Sequence, residues 1–182
     1  MTERDSTVLI DGSPPATEAD VLARLSALDI AQTTTRHAPV FTVAEAKALR
    51  GELEGAHIKN LFLRNKKGRL WLVTRHEDRQ IDMKQLGEHL GAKRFSFASA
   101  ERLMHYLGVI PGAVTPLAAI NDKTHAVTVV LDEAILTDTL INVHPLHNAA
   151  TTALAPRDLL AFLDDVGHTP AIVDMSAMSV ER

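Results

Sequence analysis

The 182-residue sequence contains no cysteine. That one absence excludes a structural disulfide, a cysteine-ligated zinc, an iron–sulfur cluster and a thiol nucleophile. It also fits a reducing compartment. No apolar run approaches the ~20 residues of a membrane span, and the first eleven residues are too polar for a signal peptide. The expected location is therefore the cytoplasm, with no membrane partner. The sequence also lacks a GxSxG elbow, a GxGxxG fingerprint, a phosphate loop and an HExxH metal motif. A chain of this length buries roughly 70% of its unfolded surface, so it needs no metal or disulfide staple.

The excess of one charge sign is small overall, but charge is unevenly placed. The net charge is −4. Between His57 and Arg79, however, Lys59, Arg64, Lys66, Lys67, Arg69, Arg75 and Arg79 face only Glu77 and Asp78, a local +5 that leaves −9 for the rest. Such a stretch marks either a focused anion site or a solvated hairpin edge where lysine blocks edge-to-edge pairing.

Gly12, Ser13, Pro14 and Pro15 punctuate the chain before its first periodic segment. Residues 1–16 read as an N-terminal tail and 17–182 as a single domain. Thr17 with Asp20 forms a capping-box pattern ahead of Val21, Leu22, Leu25 and Leu28, which predicts a helix. Residues 30–36 read as a strand, and Thr42 with Glu45 opens a short helix ending at Gly51. Residues 58–64 and 69–75 flank Asn65, Lys66, Lys67 and Gly68 as a hairpin. Helices are expected over 83–90 after Asp82, over 100–107 after Ser99, and over 158–166 after Pro156. Strands are expected over 117–120, 126–131, 140–143 and 171–174. Hairpins interrupt the helices, so a doubly wound parallel sheet is excluded in favour of an α+β fold. Its sheet is expected to be mixed, largely antiparallel and barrel-like, with helices outside it.

Three constellations carry chemistry. Lys59 starts an apolar strand in which Leu61 and Leu63 alternate. A lysine there either snorkels to solvent or binds an anion. Gly112 and Pro116 bound a tight loop whose backbone N–H groups, at Gly112 and Ala113, suit an anion or carbonyl cradle; an ordinary helix-to-strand connection has the same composition. Asn142, His144, His147, Asn148, Thr151 and Thr152 crowd eleven residues, a set that can hold a water, a sugar hydroxyl or a carbonyl. His144 and His147 lack a nearby carboxylate as third ligand, so no metal is expected.

Lys59 entering its strand, the GxxxP loop from Gly112 to Pro116, and the run His144, Pro145, Leu146, Asn148, Thr151 occur in this order in the YbaK/prolyl-tRNA-synthetase-associated superfamily. The chain resembles that superfamily over about residues 17–170, and most of all its freestanding alanyl-tRNA(Pro) deacylase branch. The resemblance implies the YbaK deacylase fold and hydrolysis of the ester joining a wrong amino acid to the 3′-terminal adenosine of tRNA. It implies no cofactor and no covalent intermediate, and a transient association with prolyl-tRNA synthetase. Carried over, Lys59 is the essential lysine, Gly112 and Ala113 face the carbonyl, and His144 and Asn148 are the polar catalytic positions. His144 is preferred to His147 because it precedes Pro145. Thr42, Pro116 and Thr151 are assigned to substrate binding, and Lys66, Lys67, Arg69, Arg75 and Arg79 to the acceptor stem of tRNA(Pro). A cysteinyl-tRNA(Pro) or other small-amino-acid deacylase is the rival activity. A non-catalytic tRNA-binding or regulatory module is the rival class.

Overall fold

The computed structural model describes residues 7–39, 44, 45, 48 and 53–180. Helix starts follow side chains that accept hydrogen bonds from the first free backbone N–H groups. In α1 (Glu18–Ala27) the Thr17 hydroxyl accepts from the Asp20 N–H at 3.3 Å and the Asp20 carboxylate accepts from the Thr17 N–H at 2.7 Å, closing the box. Asp82 caps α2 (Met83–His89) and Ser99 caps α3 (Ala100–Leu107). Gly108 ends α3 at φ +64°, and a Cβ there would lie 2.6 Å from the Asn121 amide. Only glycine fits that place. Pro156 opens α4 (Pro156–Asp165) without a side-chain cap, since its missing N–H is no loss in the first turn.

The strands are β1 (Gln32–Arg36), β2 (Ala56–Arg64), β3 (Leu70–His76), β4 (Ser96–Phe97), β5 (Val127–Asp132), β6 (Ile141–Val143), β7 (Ala150–Leu154) and β8 (Ala171–Val173). They form one mixed sheet in the order β1-β7-β6-β2-β3-β5-β8, with β4 on β2. The β2–β3 hairpin runs antiparallel from Arg64 opposite Leu70 to Ile58 opposite His76. Its turn is held by the Asn65 side-chain oxygen, which accepts from the Lys67 and Arg69 N–H groups at 3.0 Å each. The β2–β6, β3–β5 and β5–β8 pairs are parallel and the others antiparallel. The α+β architecture with helices outside a mixed sheet is thus as expected; the strand path is open rather than a closed ring.

Four segments depart from the sequence expectation. Residues 117–120, expected as a strand, lie in a 3₁₀ helix (Pro116–Asn121): the Thr115 hydroxyl caps it through the Leu117 N–H, and Pro116 sits in its first turn. Strands β4 and β7 were not expected at all. Within residues 1–16, read as a tail, Leu9 is 2% exposed and the Ile10 N–H donates to the His105 carbonyl at 2.8 Å. The helix expected over 42–51 is helical at Ala44, Glu45 and Ala48; Thr42 and Gly51 lie outside the described residues.

The core divides by sheet face. The main cluster takes Phe62, Leu70, Leu72, Val129, Leu131, Ile141, Val143 and Leu154 from the sheet and packs them against α1, α3 and α4. The opposite face carries a smaller cluster of Leu61, Leu63, Trp71, Val73 and Val130 beneath Leu86 of α2. That second cluster covers only the β2–β3–β5 half of its face.

Candidate active site

Alternation along the strands decides what the other half presents. In β2, Ile58 and Phe62 pack toward the main core, so Lys59 between them points the other way and is exposed. In β7, Ala150, Thr152 and Leu154 are buried and Thr152 bonds across to Thr34, which puts Thr151 on the same face as Lys59. His37, just past β1, reaches Thr151 there, with its Nε2 2.9 Å from the threonine oxygen. Its Nδ1 lies 2.8 Å from the Ala38 carbonyl. A carbonyl can only accept, so in the neutral ring Nδ1 carries the proton and Nε2 accepts from the Thr151 hydroxyl. Strand β6 runs parallel to β2, with Ala56 opposite Ile141 and His57 opposite Asn142. Two residues further along each chain come Lys59 and His144. The Lys59 ammonium forms no ion pair among the described residues.

Asn60, the next residue, faces inward. Its amide donates to the Val114 carbonyl at 3.0 Å and its oxygen accepts from the Thr74 hydroxyl at 2.6 Å. The strand that bears Lys59 is therefore tied directly to the glycine loop. In that loop Gly112 adopts φ +89°, a left-handed conformation that favours glycine. Ala113 is not a donor to substrate, contrary to the sequence expectation: it is buried and its N–H bonds to the Ile110 carbonyl at 3.1 Å. Pro116 is likewise buried, shaping the loop from within the 3₁₀ helix.

The loop between β6 and β7 holds the remaining groups. His144 Nδ1 lies 3.3 Å from the Ala150 carbonyl, so it carries the proton and Nε2 keeps a lone pair. Burial pushes this imidazole below its usual range; the Ala150 carbonyl opposes that, and the nearby His37 and His147 reinforce it. His147 is occupied elsewhere. Its Nε2 is bonded to the Glu18 carboxylate and its Nδ1 accepts from the Ala149 N–H at 3.1 Å. Asn148 is 7% exposed, and its amide nitrogen has no hydrogen-bond partner among the described residues. That nitrogen lies 3.9 Å from where a Cβ on Gly112 would stand. A buried donor without a partner costs about 1–3 kcal/mol, and a carbonyl oxygen brought into the gap beside Gly112 offsets it. Among the described residues no three His, Cys, Asp or Glu side chains converge as a metal-binding set.

The basic stretch separates into two groups. Lys66, Lys67 and Arg69 are exposed at the hairpin turn, with the Arg69 guanidinium 5.2 Å from the centre of the Trp71 ring. Seven residues of strand at ~3.3 Å each place that turn about 23 Å from Lys59 along the hairpin. Arg75 and Arg79, expected on the same RNA-facing surface, are turned inward. Arg75 is 8% exposed and donates to the carbonyls of His76, Glu77 and Arg79. Arg79 pairs at 3.5 Å with Asp132, which is fully buried. The sequence reading also passed over Asn60, His37 and Glu18. Asn60 was detectable, because it is the polar residue in the inward alternation Ile58, Asn60, Phe62.

The aminoacyl-tRNA editing domain matches residues 37–162, from His37 through the whole constellation. The prolyl-tRNA editing protein ProX of Acetoanaerobium sticklandii is 38% identical over 156 residues, covering 85% of this chain and 95% of that protein. The prolyl-tRNA synthetase associated domain-containing protein 1 of Bos taurus is 41% identical over 156 residues, covering 83% and 91%. A crystal structure of a protein assigned as a trans-editing enzyme for prolyl tRNA synthetase shares the fold, with a TM-score of 0.62 at 20% identity over 83% of this chain and 87% of the other. The chain belongs to the aminoacyl-tRNA editing domain family, and its activity is that of an aminoacyl-tRNA deacylase.

Proposed function

We propose that this deacylase acts in trans on alanine mischarged to tRNA(Pro), in the cytoplasm and in transient association with prolyl-tRNA synthetase. The observation that carries the site is the buried, unpaired amide of Asn148 beside Gly112. The ester carbonyl oxygen accepts from this amide, which becomes more favourable as negative charge develops on that oxygen. Lys59 supplies the positive charge on the same side, to the oxyanion or to the terminal phosphate. The lone pair on His144 Nε2 orients the attacking water or the vicinal ribose hydroxyl. Water adds to the ester carbon, the bond to the ribose oxygen breaks, and that oxygen leaves with a proton to give free amino acid and tRNA. An aminoacyl ester is already activated, so positioning and charge stabilisation suffice without a covalent intermediate. Thr151, paired with His37, borders the substrate, while Lys66, Lys67 and Arg69 contact acceptor-stem phosphates.

The prolyl-tRNA names of the relatives support the choice of tRNA. Alanine follows from sieving: a pocket that admits a methyl side chain rejects the proline ring by overlap, a discrimination that a proline-sized synthetic site cannot make. The test is a panel of tRNA(Pro) charged with Ala, Cys, Ser and Pro, with release followed over time. Alanine is expected to leave fastest and proline to stay. Faster release of Cys or Pro overturns the assignment, and no release of any of the four overturns turnover itself.

A further inference from the structure

The loop that carries His144 and Asn148 is held in an unfavourable conformation from outside. Leu146 in its middle has φ +72°, a left-handed backbone that costs a residue other than glycine about 1–2 kcal/mol. Its side chain nevertheless sits in the main core at 9% exposure. On one side the loop is tied by His144 Nδ1 to the Ala150 carbonyl. On the other side the tie is His147, whose two ring nitrogens are both used: Nδ1 accepts from the Ala149 N–H and Nε2 bonds to the Glu18 carboxylate. Glu18 is itself fixed. It occupies the first turn of α1, its carboxylate is 14% exposed, and both its oxygens accept from the Arg36 guanidinium, at 3.0 and 2.5 Å. Asn148 lies in the chain between His147 and Ala149, which are joined by the bond from the Ala149 N–H to His147 Nδ1.

We propose that Glu18, acting through His147, is a positioning residue that holds Asn148 where its amide meets the ester. This rests on the reading above that His144 and Asn148 act on the substrate. Glu18 touches no substrate, so its removal displaces the donor without removing binding surface. The expected signature is a loss in kcat with KM for aminoacyl-tRNA unchanged.

The experiment compares Glu18→Ala, His147→Ala and the double variant on the best-released member of the panel, with thermal midpoints recorded. Arg24→Ala serves as a control on the same helix, where it breaks only the surface pair with Asp165. Each single variant is expected to lose about ten-fold in kcat, and the double no more than either, because both break one chain of contacts. Glu18→Gln keeps an oxygen that accepts from His147 and is expected to recover most of the rate. Wild-type kcat in Glu18→Ala, multiplying losses in the double variant, or a rise in KM alone each overturns the proposal. Should Glu18→Ala fail to fold, His147→Ala decides by the same kcat and KM criteria. His144→Ala and Asn148→Ala run alongside. If these are inactive while Glu18→Ala is normal, positioning alone fails; if these are fully active, the site reading fails with it.

Discussion

The outer face of the sheet has two halves built on one strand. From Leu61 onward, β2 joins Leu63, Trp71, Val73 and Val130 beneath α2, where Trp71 and Phe95 meet edge to face with ring centres 5.0 Å apart. Before Leu61, the same face of the same strand presents Lys59, on the face that also carries Thr151 and its partner His37. Two residues, one step of the strand's alternation, separate a dry interface from a polar one. The dry half gives the wet half its rigidity: a side chain on a strand clamped at its far end is placed more firmly than one on a free loop.

The sharpest way to break this comparison is to substitute one residue on each side of the step. Lys59→Ala is expected to lower the single-turnover deacylation rate by ~10² or more, by analogy with removal of a charge-stabilising donor, with little change in thermal midpoint. Leu63→Ala is expected to do the reverse, losing about 2–5 kcal/mol of stability to the cavity while the folded fraction turns over normally. Rates and denaturation curves for both variants decide it, and a Lys59→Ala enzyme with near-normal turnover removes the polar half from the chemistry.

A smaller effect sharpens the electrostatics. Because burial holds His144 below the usual 6.5, its lone pair should persist to lower pH than in an exposed histidine. The acid limb of the enzyme-catalysed rate, corrected for uncatalysed ester hydrolysis, is expected to fall with a midpoint below 6.5 and to vanish in His144→Ala. The sign for stability is the same. The unfolded chain takes up the proton first, so His144's contribution is complete above 6.5 and is lost as pH falls through its folded value. A midpoint at or above 6.5 contradicts the assignment.

The smallest effect belongs to the hairpin turn, at the end of the hairpin away from Lys59. Replacing Lys66, Lys67 and Arg69 together with alanine is expected to weaken tRNA binding and reduce the log–log salt slope by about 2–3, at roughly 0.7–0.9 per phosphate contact. The rate at saturation should be unaffected. An unchanged slope takes the turn out of the RNA footprint.

What the sequence made legible was local. Thr17, Asp82 and Ser99 act on backbone groups two or three residues away, and the turn at Asn65 closes on Arg69, so each element could be read in isolation. Strand β7 could not. Ala150, Thr151 and Thr152 have no strand-like alternation of apolar and polar residues, and the strand exists because β1 and β6 flank it and Thr34 satisfies the buried Thr152 hydroxyl. The apolar run at 117–120 misled in the opposite direction, since capping at Thr115 outweighed strand propensity. Arg75 and Arg79 show the limit of counting charge: composition records a guanidinium but not the carbonyls that surround it. In the candidate site, Lys59, Gly112, His144 and Asn148 are legible as residue types at ordered spacings, while their roles stay proposals. That Ala113 spends its N–H inside the loop, and that Glu18 reaches His147 across 129 residues, depends on the completed fold.

Leu146 bears on the order in which the molecule assembles. An unfolded chain seldom visits a left-handed backbone at leucine, and the local bond from the Ala149 N–H to His147 is small compensation. Most of it comes when the side chain enters a core contributed by α1, α3, α4 and strands far away in sequence. The segment bearing His144 and Asn148 is therefore expected to lock late, after that core has condensed, and to be among the first to loosen under mild denaturant. On the proposed mechanism, a partly unfolded chain that still has most of its helices would thus already have lost its means of hydrolysing an ester.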